Sequence, residues 1–248
     1  MFATINHKGR TIKADLHKGF DISIAVAPAG VRAWYAEPPV IEPVRMGDWV
    51  GEVKQGGSVN FKNVFFNPHA HGTHTESVGH ITPEGESVNG IVNRAFYVAE
   101  LITVLPEQLD NGDFVITRRQ LRTLLEGKTP EAVVLRTIAN PEVKRTTNWS
   151  NTNPPYLTAD AALLLAEMDV EHLLIDLPSV DREVDGGALS AHKTFWNYPE
   201  NTRRHCTITE LVYVPNDVFD GAYLLNLQTA AMENDAVPSR PVLYRIVN

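Results

Sequence analysis

Cysteine is nearly absent from the chain: Cys206 is the single one among 248 residues, so no disulfide can form within the chain. This scarcity is typical of proteins from reducing compartments and predicts a cytoplasmic location. No apolar run approaches the roughly 18 residues that a membrane-spanning helix needs. Residues 1–9 lack the basic start and the apolar core of a signal peptide. We therefore expect no membrane partner.

Basic residues are also in short supply. The chain has 22 lysines and arginines against 30 aspartates and glutamates, which gives a net charge of −8. An acidic protein repels a phosphate backbone, so nucleic acid is not expected as the main partner. Hydrophobic residues make up 43% and charged residues 21%, as in an ordinary globular protein. No repeat or linker interrupts the sequence, and we expect residues 1–248 to form one domain.

Hydrophobic periodicity predicts a strand-rich α/β domain with few helices. Two helices are expected: a capping box of Thr117 and Gln120 opens the first, and Thr158 caps the second. A hairpin is expected near the N-terminus, and the further predicted strands lie at residues 20–24, 96–105, 132–135, 173–176, 210–214, 223–227 and 242–247.

Proline and glycine are frequent between residues 28 and 60, which predicts a long, loop-rich segment. Aromatic side chains in this segment and near residue 195 allow two interpretations. They either pack locally with other apolar groups, or they form a wall for a flat, apolar ligand. These aromatic residues are Trp34, Tyr35, Trp49, Phe195 and Trp196.

Histidine is concentrated in one stretch, since four of the nine histidines lie between residues 69 and 80. Neutral imidazole and carboxylate are the usual protein ligands of a catalytic Zn²⁺ or Mn²⁺ ion. In an extended segment, residues two apart point to the same side, so His74 and Glu76 can aim at a common point. His80 has the same parity, but Gly79 predicts a bend before it.

The ordinary interpretation of a single histidine beside a glutamate is a surface or capping residue. Four histidines and a carboxylate around two glycines are different, because packing has no use for so many titratable groups. Burying such groups unpaired is costly. The stretch therefore predicts a metal site.

Residues 72–80 resemble the signature of the cyclase or kynurenine formamidase-like family of metal-dependent hydrolases, which reads His-x-Gly-Thr-His-x-Asp-x-Pro-x-His. Residues 175–181 are similar to the family's Asp-x-Pro-Ser-Val-Asp stretch. His192 and Glu210 then follow where the family has its distal histidine and glutamate. The likeness extends from Phe20 to the C-terminus, and three spaced motifs in family order make it specific.

The chain departs from that signature at three positions. Glu76 stands where the family usually has aspartate, which keeps an oxygen ligand, and Val78 replaces the usual proline in the bend that follows. The family spacing puts the first histidine at position 70, which is Ala70 here. His69 requires one inserted residue, which a β-bulge can absorb, whereas His71 requires a deletion. We prefer His69 and leave His71 open.

The resemblance implies a fold of the swivelling β/β/α type and assembly into a homodimer or homotetramer. It also implies a divalent metal, Zn²⁺ or Mn²⁺. The metal ligands would be His69 or His71, together with His74 and Glu76. The catalytic groups would be His80 as the general base, with His192 and Glu210 as further ligands or acid–base groups.

The activity implied by the resemblance is amide hydrolysis on a small aryl amide or lactam, such as N-formylkynurenine or isatin. No serine lies in a Gly-x-Ser-x-Gly elbow, so a serine nucleophile is not expected. Cys206 beside His205 has no neighbour that would activate its thiol. Two alternatives stay open: a metal-binding protein without hydrolase activity, and a metal-dependent enzyme for lyase or lactone chemistry.

Overall fold

Strands dominate the architecture in the computed structural model, which describes residues 1–247. The strands are β1 (Phe2–His7), β2 (Arg10–Asp21), β3 (Val40–Pro43), β4 (Arg45–Met46), β5 (Trp49–Val50), β6 (Lys62–Phe65), β7 (His74–Glu76), β8 (Phe96–Val104), β9 (Glu107–Gln108), β10 (Phe114–Ile116), β11 (Ala132–Thr137), β12 (Tyr156–Leu157), β13 (His172–Ile175), β14 (Thr207–Glu210), β15 (Gly221–Asn226), β16 (Ala236–Pro238) and β17 (Val242–Val247). The α-helices are α1 (Arg118–Leu124), α2 (Ala159–Glu167) and α3 (Ser190–Phe195). Short 3₁₀ helices span Val53–Gln55, Val78–Ile81, Val88–Gly90 and Glu142–Thr146.

Four parallel strands form the centre of a ten-stranded mixed sheet. They are β8, β11, β13 and β14, in that order across the sheet. Every residue of β11 and of β13 is buried. Such continuous apolar runs are typical of parallel strands that are covered on both faces.

Alternate side chains of the central strands point into two cores. Val133 and Leu135 pack with residues of all three α-helices on one face of the sheet. Val134, between them, packs on the other face with Ile22 and Tyr223. The two-residue period of a strand explains this division, because successive side chains leave opposite faces.

Antiparallel strands flank the parallel centre. On one side, β15, β17, β2 and β1 continue outward from β8. On the other side, β7 pairs with β14, and β16 pairs with β7. β7 is therefore hydrogen-bonded along both edges, and all three of its residues are buried. A short strand held in this way presents its side chains in a fixed direction.

The predicted strand-rich α/β fold with few helices is confirmed by this architecture. The capping box of α1 is also confirmed: the Thr117 side chain accepts a hydrogen bond from the amide of Gln120, and the Gln120 side chain accepts one from the amide of Thr117. α2 begins directly after Thr158, as predicted, but the Thr158 side chain makes no capping hydrogen bond.

Two strands end differently from their prediction. The separate strand predicted at residues 20–24 is wrong, because β2 runs on to Asp21 and stops there. The carboxylate of Asp21 accepts a hydrogen bond from the amide of Ser23 at 2.9 Å, which turns the chain. The strand predicted at residues 210–214 is wrong after its first residue, because Leu211 adopts a left-handed φ of 55°.

The segment between residues 28 and 60 is rich in loops, as predicted, and its regular structure is limited to short elements. β3 pairs with β6, and β4 pairs with β5, outside the main sheet. Within residues 1–247, no helix is both long and apolar enough to cross a bilayer.

A buried ion pair lies beyond the carboxyl end of β11. Lys144 Nζ is 2.8 Å from Asp176 Oδ2, and the two side chains are 8% and 0% exposed. Lys144 also donates a hydrogen bond to Thr137 Oγ1 at 2.8 Å. Because both charges are out of water, removing one of them leaves the other buried without a counter-charge.

We expect the substitution Lys144→Met to lower the free energy of unfolding by about 3 kcal/mol, as measured by urea denaturation. Adding Asp176→Leu should recover part of the loss, because no charge then stays buried. The control is Arg240→Gln, which breaks a pair with Asp21 in which the Arg240 side chain is 78% exposed. Its cost should stay below about 1 kcal/mol. Equal losses in the two single variants would contradict this view.

Candidate metal centre

His74 and Glu76 lie on β7 and are completely buried. They point to the same side of the strand, as residues two apart must. Antiparallel pairing with β14 places His74 opposite Glu210 and Glu76 opposite Ile208. Ligating atoms of His74, Glu76 and His69 all lie within 4.8 Å of one another. The structure therefore brings these three predicted residues together.

The turn before β7 depends on Gly72 and Thr73. Gly72 has a φ of +75°, and a Cβ there would lie 2.8 Å from the carbonyl oxygen of Ile24. The Thr73 hydroxyl accepts a hydrogen bond from the amide of Ile24 at 2.7 Å. His74 Nδ1 contacts the carbonyl oxygen of Gly72 at 3.2 Å. Since a carbonyl oxygen can only accept, Nδ1 donates the proton of this contact, which leaves Nε2 as the ring atom that faces the cluster.

A turn places His69 in the cluster and leaves His71 outside it. The amides of Ala70 and His71 both donate to the carbonyl oxygen of Asn67, at 3.2 and 3.1 Å, so the segment is a turn and not the expected β-bulge. His69 Nδ1 lies 3.2 Å from Glu76 Oε2. His71 Nδ1 instead accepts a hydrogen bond from the amide of Asn67 at 2.9 Å. Among residues 1–247, His71 joins none of the groups of converging ligand atoms, which corrects its assignment as a possible ligand.

His80 follows β7 on the 3₁₀ helix Val78–Ile81. Ser77 caps this helix by accepting a hydrogen bond from the amide of Gly79 at 3.1 Å. A Cβ at Gly79 would overlap the backbone of Glu86. The bend that the family makes with proline thus depends here on a serine cap and a glycine. It leaves the His80 side chain 31% exposed.

The second half of the chain supplies His192, on α3. Its Nδ1 donates to Asp181 Oδ2 at 2.6 Å, and its Nε2 donates to Glu76 Oε1 at 3.0 Å. The Asp181 carboxylate also accepts hydrogen bonds from the amides of Ala191 and His192, at 2.7 and 3.1 Å. One carboxylate therefore fixes both the start of α3 and the orientation of the imidazole.

Glu210 completes the cluster from the end of β14. Its Oε2 lies 3.5 Å from His74 Nε2, and its Oε1 lies 3.8 Å from His192 Nε2. Oε1 also accepts a hydrogen bond from the amide of Val180 at 3.1 Å, which orients the carboxylate. The distal histidine and glutamate of the sequence pattern thus meet the residues of β7.

Two buried atoms of the cluster are suited to hold a cation. His74 Nε2 and Glu76 Oε2 have no hydrogen-bond partner among residues 1–247. Burying such atoms unpaired is costly, and coordination of a cation by both would remove that cost. With His69 Nδ1 they offer two nitrogens and one oxygen, a donor set typical of catalytic zinc and acceptable to manganese. The residues present therefore fit a divalent metal.

The charge of the cluster is governed by Glu76. Burial raises the pKa of its carboxyl, but the surrounding imidazoles lower that pKa well below its usual value. Burial lowers the pKa of His69 and of His192 as well. The nearby carboxylate of Glu76 nevertheless raises the pKa of His69 to about 9, and hydrogen bonding to Asp181 and Glu76 raises the pKa of His192 to about 10. A metal must displace protons to bind here.

His80 differs from the other imidazoles in its ionisation. Burial lowers its pKa, and although Glu76 acts in the opposite sense, the nearby cations of His69 and His192 lower the pKa further. The lowered pKa favours the neutral form of the His80 ring. Its Nδ1 lies 3.6 Å from Asp235 Oδ2. A neutral, partly exposed imidazole is the form that can accept a proton.

The cluster opens into a cavity of about 270 Å³. His69, His80, His192 and Glu210 line this cavity, together with Trp34. A wider surface depression of about 520 Å³ elsewhere has none of the clustered imidazoles in its lining. A ligand that reaches the cluster therefore occupies the smaller cavity.

Of the five aromatic residues that the sequence offered as a ligand wall, Trp34 alone lines this cavity. Phe195 and Trp196 are fully buried in the core, so their packing interpretation is the correct one. Trp49 packs against Phe61, with 6.3 Å between the ring centroids.

Two arginines and the cysteine near α3 serve the fold. Arg203 donates to the carbonyl oxygen of Phe195 at 2.9 Å, and Arg204 pairs with Glu86. Burial raises the pKa of the Cys206 thiol to about 12, which removes it as a nucleophile.

Two carboxylates of the site were missed from the sequence. Asp181 lies in the stretch 175–181 that resembles the family motif, and this position was the signal that could have identified it. Asp235 accepts a hydrogen bond from His69 Nε2 at 2.9 Å. Its backbone carbonyl accepts one from the amide of Ser77 at 2.9 Å. No local motif marks Asp235, because it reaches the site only through the pairing of β16 with β7.

The Cyclase family model matches residues 20–182, well over half of the chain. The chain belongs to the cyclase family. Membership confirms the resemblance carried by the motifs around His74 and Asp176.

Curated and solved relatives agree with membership of the cyclase family. Two kynurenine formamidases of Bacillus cereus are 26% identical over 225 residues and 27% identical over 218 residues, each match covering 87% of this chain and 92% of the relative. An isatin hydrolase bound to the product analogue thioisatinate superposes with a TM-score of 0.66 at 15% identity, over 93% of both chains. Isatin hydrolase A from Labrenzia aggregata gives a TM-score of 0.64 at 14% identity, over 92% of this chain and 93% of that one. These two structures share the fold of the present chain.

We expect Gly79→Ala to lower the free energy of unfolding by about 2 kcal/mol, because the added methyl group meets the backbone of Glu86. Gly90→Ala is the matched control, since Gly90 also lies in a 3₁₀ helix and a Cβ there meets nothing within 4 Å. It should change stability by less than about 0.5 kcal/mol. Thermal denaturation of both variants checks this, and equal effects would contradict the role given to Gly79.

In protein stripped of metal by a chelator, we expect the melting temperature to fall as the pH rises from about 7 to about 10. The pKa values of His69 and His192 are raised from 6.5 to about 9 and about 10. The stability linked to their protons is therefore complete below pH 6.5 and is lost as the pH passes through those values. Scanning calorimetry between pH 6 and 10 measures it. A rise in stability over that interval would refute the assigned charges.

Proposed function

We propose that this protein is a metal-dependent hydrolase that cleaves the amide bond of a small aryl amide or lactam. The observation that carries the proposal is the convergence of His69, His74 and Glu76, whose ligating atoms lie within 4.8 Å of one another. The buried Nε2 of His74 and Oε2 of Glu76 have no hydrogen-bond partner among residues 1–247. This arrangement lies at the end of a small cavity, where an amide can approach it.

The residues of β7 and of the turn before it would hold the metal. His69 Nδ1, His74 Nε2 and Glu76 Oε2 are the proposed ligands. Hydrogen bonds orient two of the rings: His74 Nδ1 bonds to the carbonyl oxygen of Gly72, and His69 Nε2 bonds to Asp235. Partners of this kind fix the tautomer of a ligating histidine and raise its basicity. His192 and Glu210 are proposed as further ligands or acid–base groups, since both border on Glu76 or His74.

His80 is proposed as the general base. When bound, a divalent cation polarises a carbonyl group and makes a coordinated water more acidic. His80 accepts the proton of the attacking water, because its ring lies on the wall of the cavity, 4.2 Å between centroids from the ring of the proposed ligand His69. It then returns this proton to the departing nitrogen, so that the carbon–nitrogen bond breaks and amine and carboxylic acid form.

Relatives support the substrate class. Kynurenine formamidases match along 87% of the chain, and isatin hydrolases share its fold. We therefore propose an aryl amide or lactam, with N-formylkynurenine and isatin as the compounds to test first. The two alternatives, a binding protein without activity and a lyase or lactone-acting enzyme, are not favoured by any of these relatives.

The finer properties are proposed from the sequence and the family. Zn²⁺ or Mn²⁺ is proposed as the metal because the donors are imidazole and carboxylate. A cytoplasmic location is proposed from the single cysteine, Cys206. One domain over residues 1–248 and assembly into a homodimer or homotetramer are proposed as well, the first because one sheet contains strands from β1 to β17.

The decisive experiment combines metal analysis with turnover. The purified protein is analysed for zinc and manganese by mass spectrometry, and N-formylkynurenine and isatin are assayed before and after chelation. We expect about one or two equivalents of metal, and turnover that chelation abolishes and metal restores. Bound metal without turnover on a wider panel of amides and lactams would favour the binding protein instead.

The ligand and base roles predict different outcomes for two histidine variants. His74→Ala should lose most of its metal, because it removes a buried ligand nitrogen. His80→Ala should keep most of its metal while kcat falls by about 10²- to 10⁴-fold, the usual contribution of a general base. His71→Ala is the matched control and should retain its metal, since His71 lies outside the cluster. Metal loss in His80→Ala, or full metal content in His74→Ala, would contradict these roles.

A further inference from the structure

Most of the residues that line the cavity beside the histidine cluster have polar or charged side chains. Of its twelve lining residues, ten are polar or charged, and only Trp34 and Leu189 carry apolar side chains. Trp34 and Leu189 are therefore the two apolar side chains that a ring in the cavity can contact. A volume of about 270 Å³ lies just below the range of drug-sized sites and suits a compound of one or two rings.

Both apolar side chains belong to residues with left-handed backbone. Trp34 has a φ of 57° and Leu189 a φ of 48°. Such values are uncommon outside glycine and asparagine, and they cost free energy for bulky residues. Backbone strain of this kind persists where surrounding contacts enforce it, and it is concentrated at ligand clamps and active sites.

The turn that carries Trp34 is held from several directions. The amide of Ala36 donates to the carbonyl oxygen of Ala33 at 3.1 Å, and both central residues, Trp34 and Tyr35, have positive φ. Type I′ turns have this pattern, but they favour asparagine and glycine at the two positions. The Tyr35 hydroxyl donates to the carboxylate of Glu183 at 3.1 Å.

The same turn is anchored by its backbone. The amide of Tyr35 donates to Ser150 Oγ at 2.9 Å, and the amide of Ala33 donates to the carbonyl oxygen of Ala70 at 3.0 Å. Ala70 directly follows the proposed ligand His69, and Ala33 directly precedes Trp34. This backbone hydrogen bond therefore links the segment of Trp34 to the segment of His69. These contacts explain how an unfavourable turn is maintained at this place.

Leu189 is fixed from the opposite half of the chain. It is the N-cap residue of α3, and its amide donates to Asp185 Oδ2 at 2.7 Å. His192 lies three residues further along the same helix. The side chain of Leu189 and the imidazole of His192 therefore both come from the first turn of this helix, and both line the cavity.

We infer that Trp34 and Leu189 are the specificity-determining residues of the site and that they select a planar aryl ring. The indole of Trp34 stacks on the ring and Leu189 packs against it, while the polar remainder of the cavity receives the amide. The assignment of an aryl ring rests on the proposed function of the same site. Stacking on an aromatic side chain is worth up to about 1.5 kcal/mol beyond simple burial, which corresponds to about a tenfold change in affinity.

The test compares two formamides that differ only in the ring. Formanilide has a flat phenyl ring, and N-cyclohexylformamide has a puckered one. In Trp34→Leu we expect KM for formanilide to rise about tenfold with kcat within about threefold, and KM for N-cyclohexylformamide to change less than about twofold. Trp34→Phe should restore most of the preference. Leu189→Ala should weaken it by a smaller factor.

Trp49→Leu is the matched control, because Trp49 packs in the loop against Phe61 and does not line the cavity. The preference for formanilide should be unchanged in this variant. Melting temperatures of all variants are measured first. If Trp34→Leu does not fold, the comparison of Trp34→Phe and Leu189→Ala with the wild type decides the outcome.

A binding measurement tests the ring selectivity of Trp34 and Leu189 independently of the proposed hydrolase function. Calorimetry with acetanilide and N-cyclohexylacetamide on metal-loaded protein gives the preference without turnover. Suppose that the wild type hydrolyses neither formamide but binds acetanilide preferentially, and that Trp34→Leu loses this preference. The ring-selecting role of Trp34 is then supported, and the hydrolase proposal fails. If the wild type binds both acetamides equally, the ring-selecting role of Trp34 and Leu189 is refuted. It is also refuted if Trp34→Leu weakens the binding of flat and puckered ligands by the same factor.

Discussion

A buried carboxylate among imidazoles is the interaction on which the site depends. Glu76 is completely removed from solvent and lies 3.2 Å from His69 Nδ1 and 3.0 Å from His192 Nε2. A charge in that position is stable only while cations or a metal compensate it. The buried charge of Glu76 favours protonation of His69 and His192 for this reason. For the same reason it favours the binding of a divalent ion in the cluster.

The sheet gives this cluster its geometry. β7 has only three residues, yet β14 and β16 pair with it along both edges. The register sets His74 against Glu210, so two proposed functional groups face each other across neighbouring strands. Asp181 then orients His192 from the start of α3. Rigid elements thus hold most of the groups, and the turn at residues 67–72 adds His69.

Sequence periodicity was informative wherever the chain is extended. The apolar run of β11 and the common side of His74 and Glu76 both follow from the two-residue repeat of a strand. The choice between His69 and His71 did not follow, because hydrogen bonds to Asn67 shape a turn in which that repeat has no meaning. The end of β14 was equally hidden, since leucine rarely takes a left-handed φ.

Long-range pairing explains the other residues that the sequence did not reveal. Asp235 reaches His69 across 166 positions of the chain, and nothing near either residue encodes that contact. The sequence alone could not distinguish Trp34 from Trp196. Trp34 lines the cavity and Trp196 is buried in the core, and both positions depend on contacts between distant parts of the chain.

The pairing of β7 with two strands from the last fifth of the chain has a consequence for biosynthesis. On the ribosome, His74 and Glu76 leave the exit tunnel long before β14 and β16 are translated, so the nascent chain holds an unfinished set of donors. Specific binding of the proposed metal would therefore wait until residue 238 has emerged and both edges of β7 are paired. Insertion of such a metal would then follow translation, and the ions that the finished protein meets would decide which one is bound.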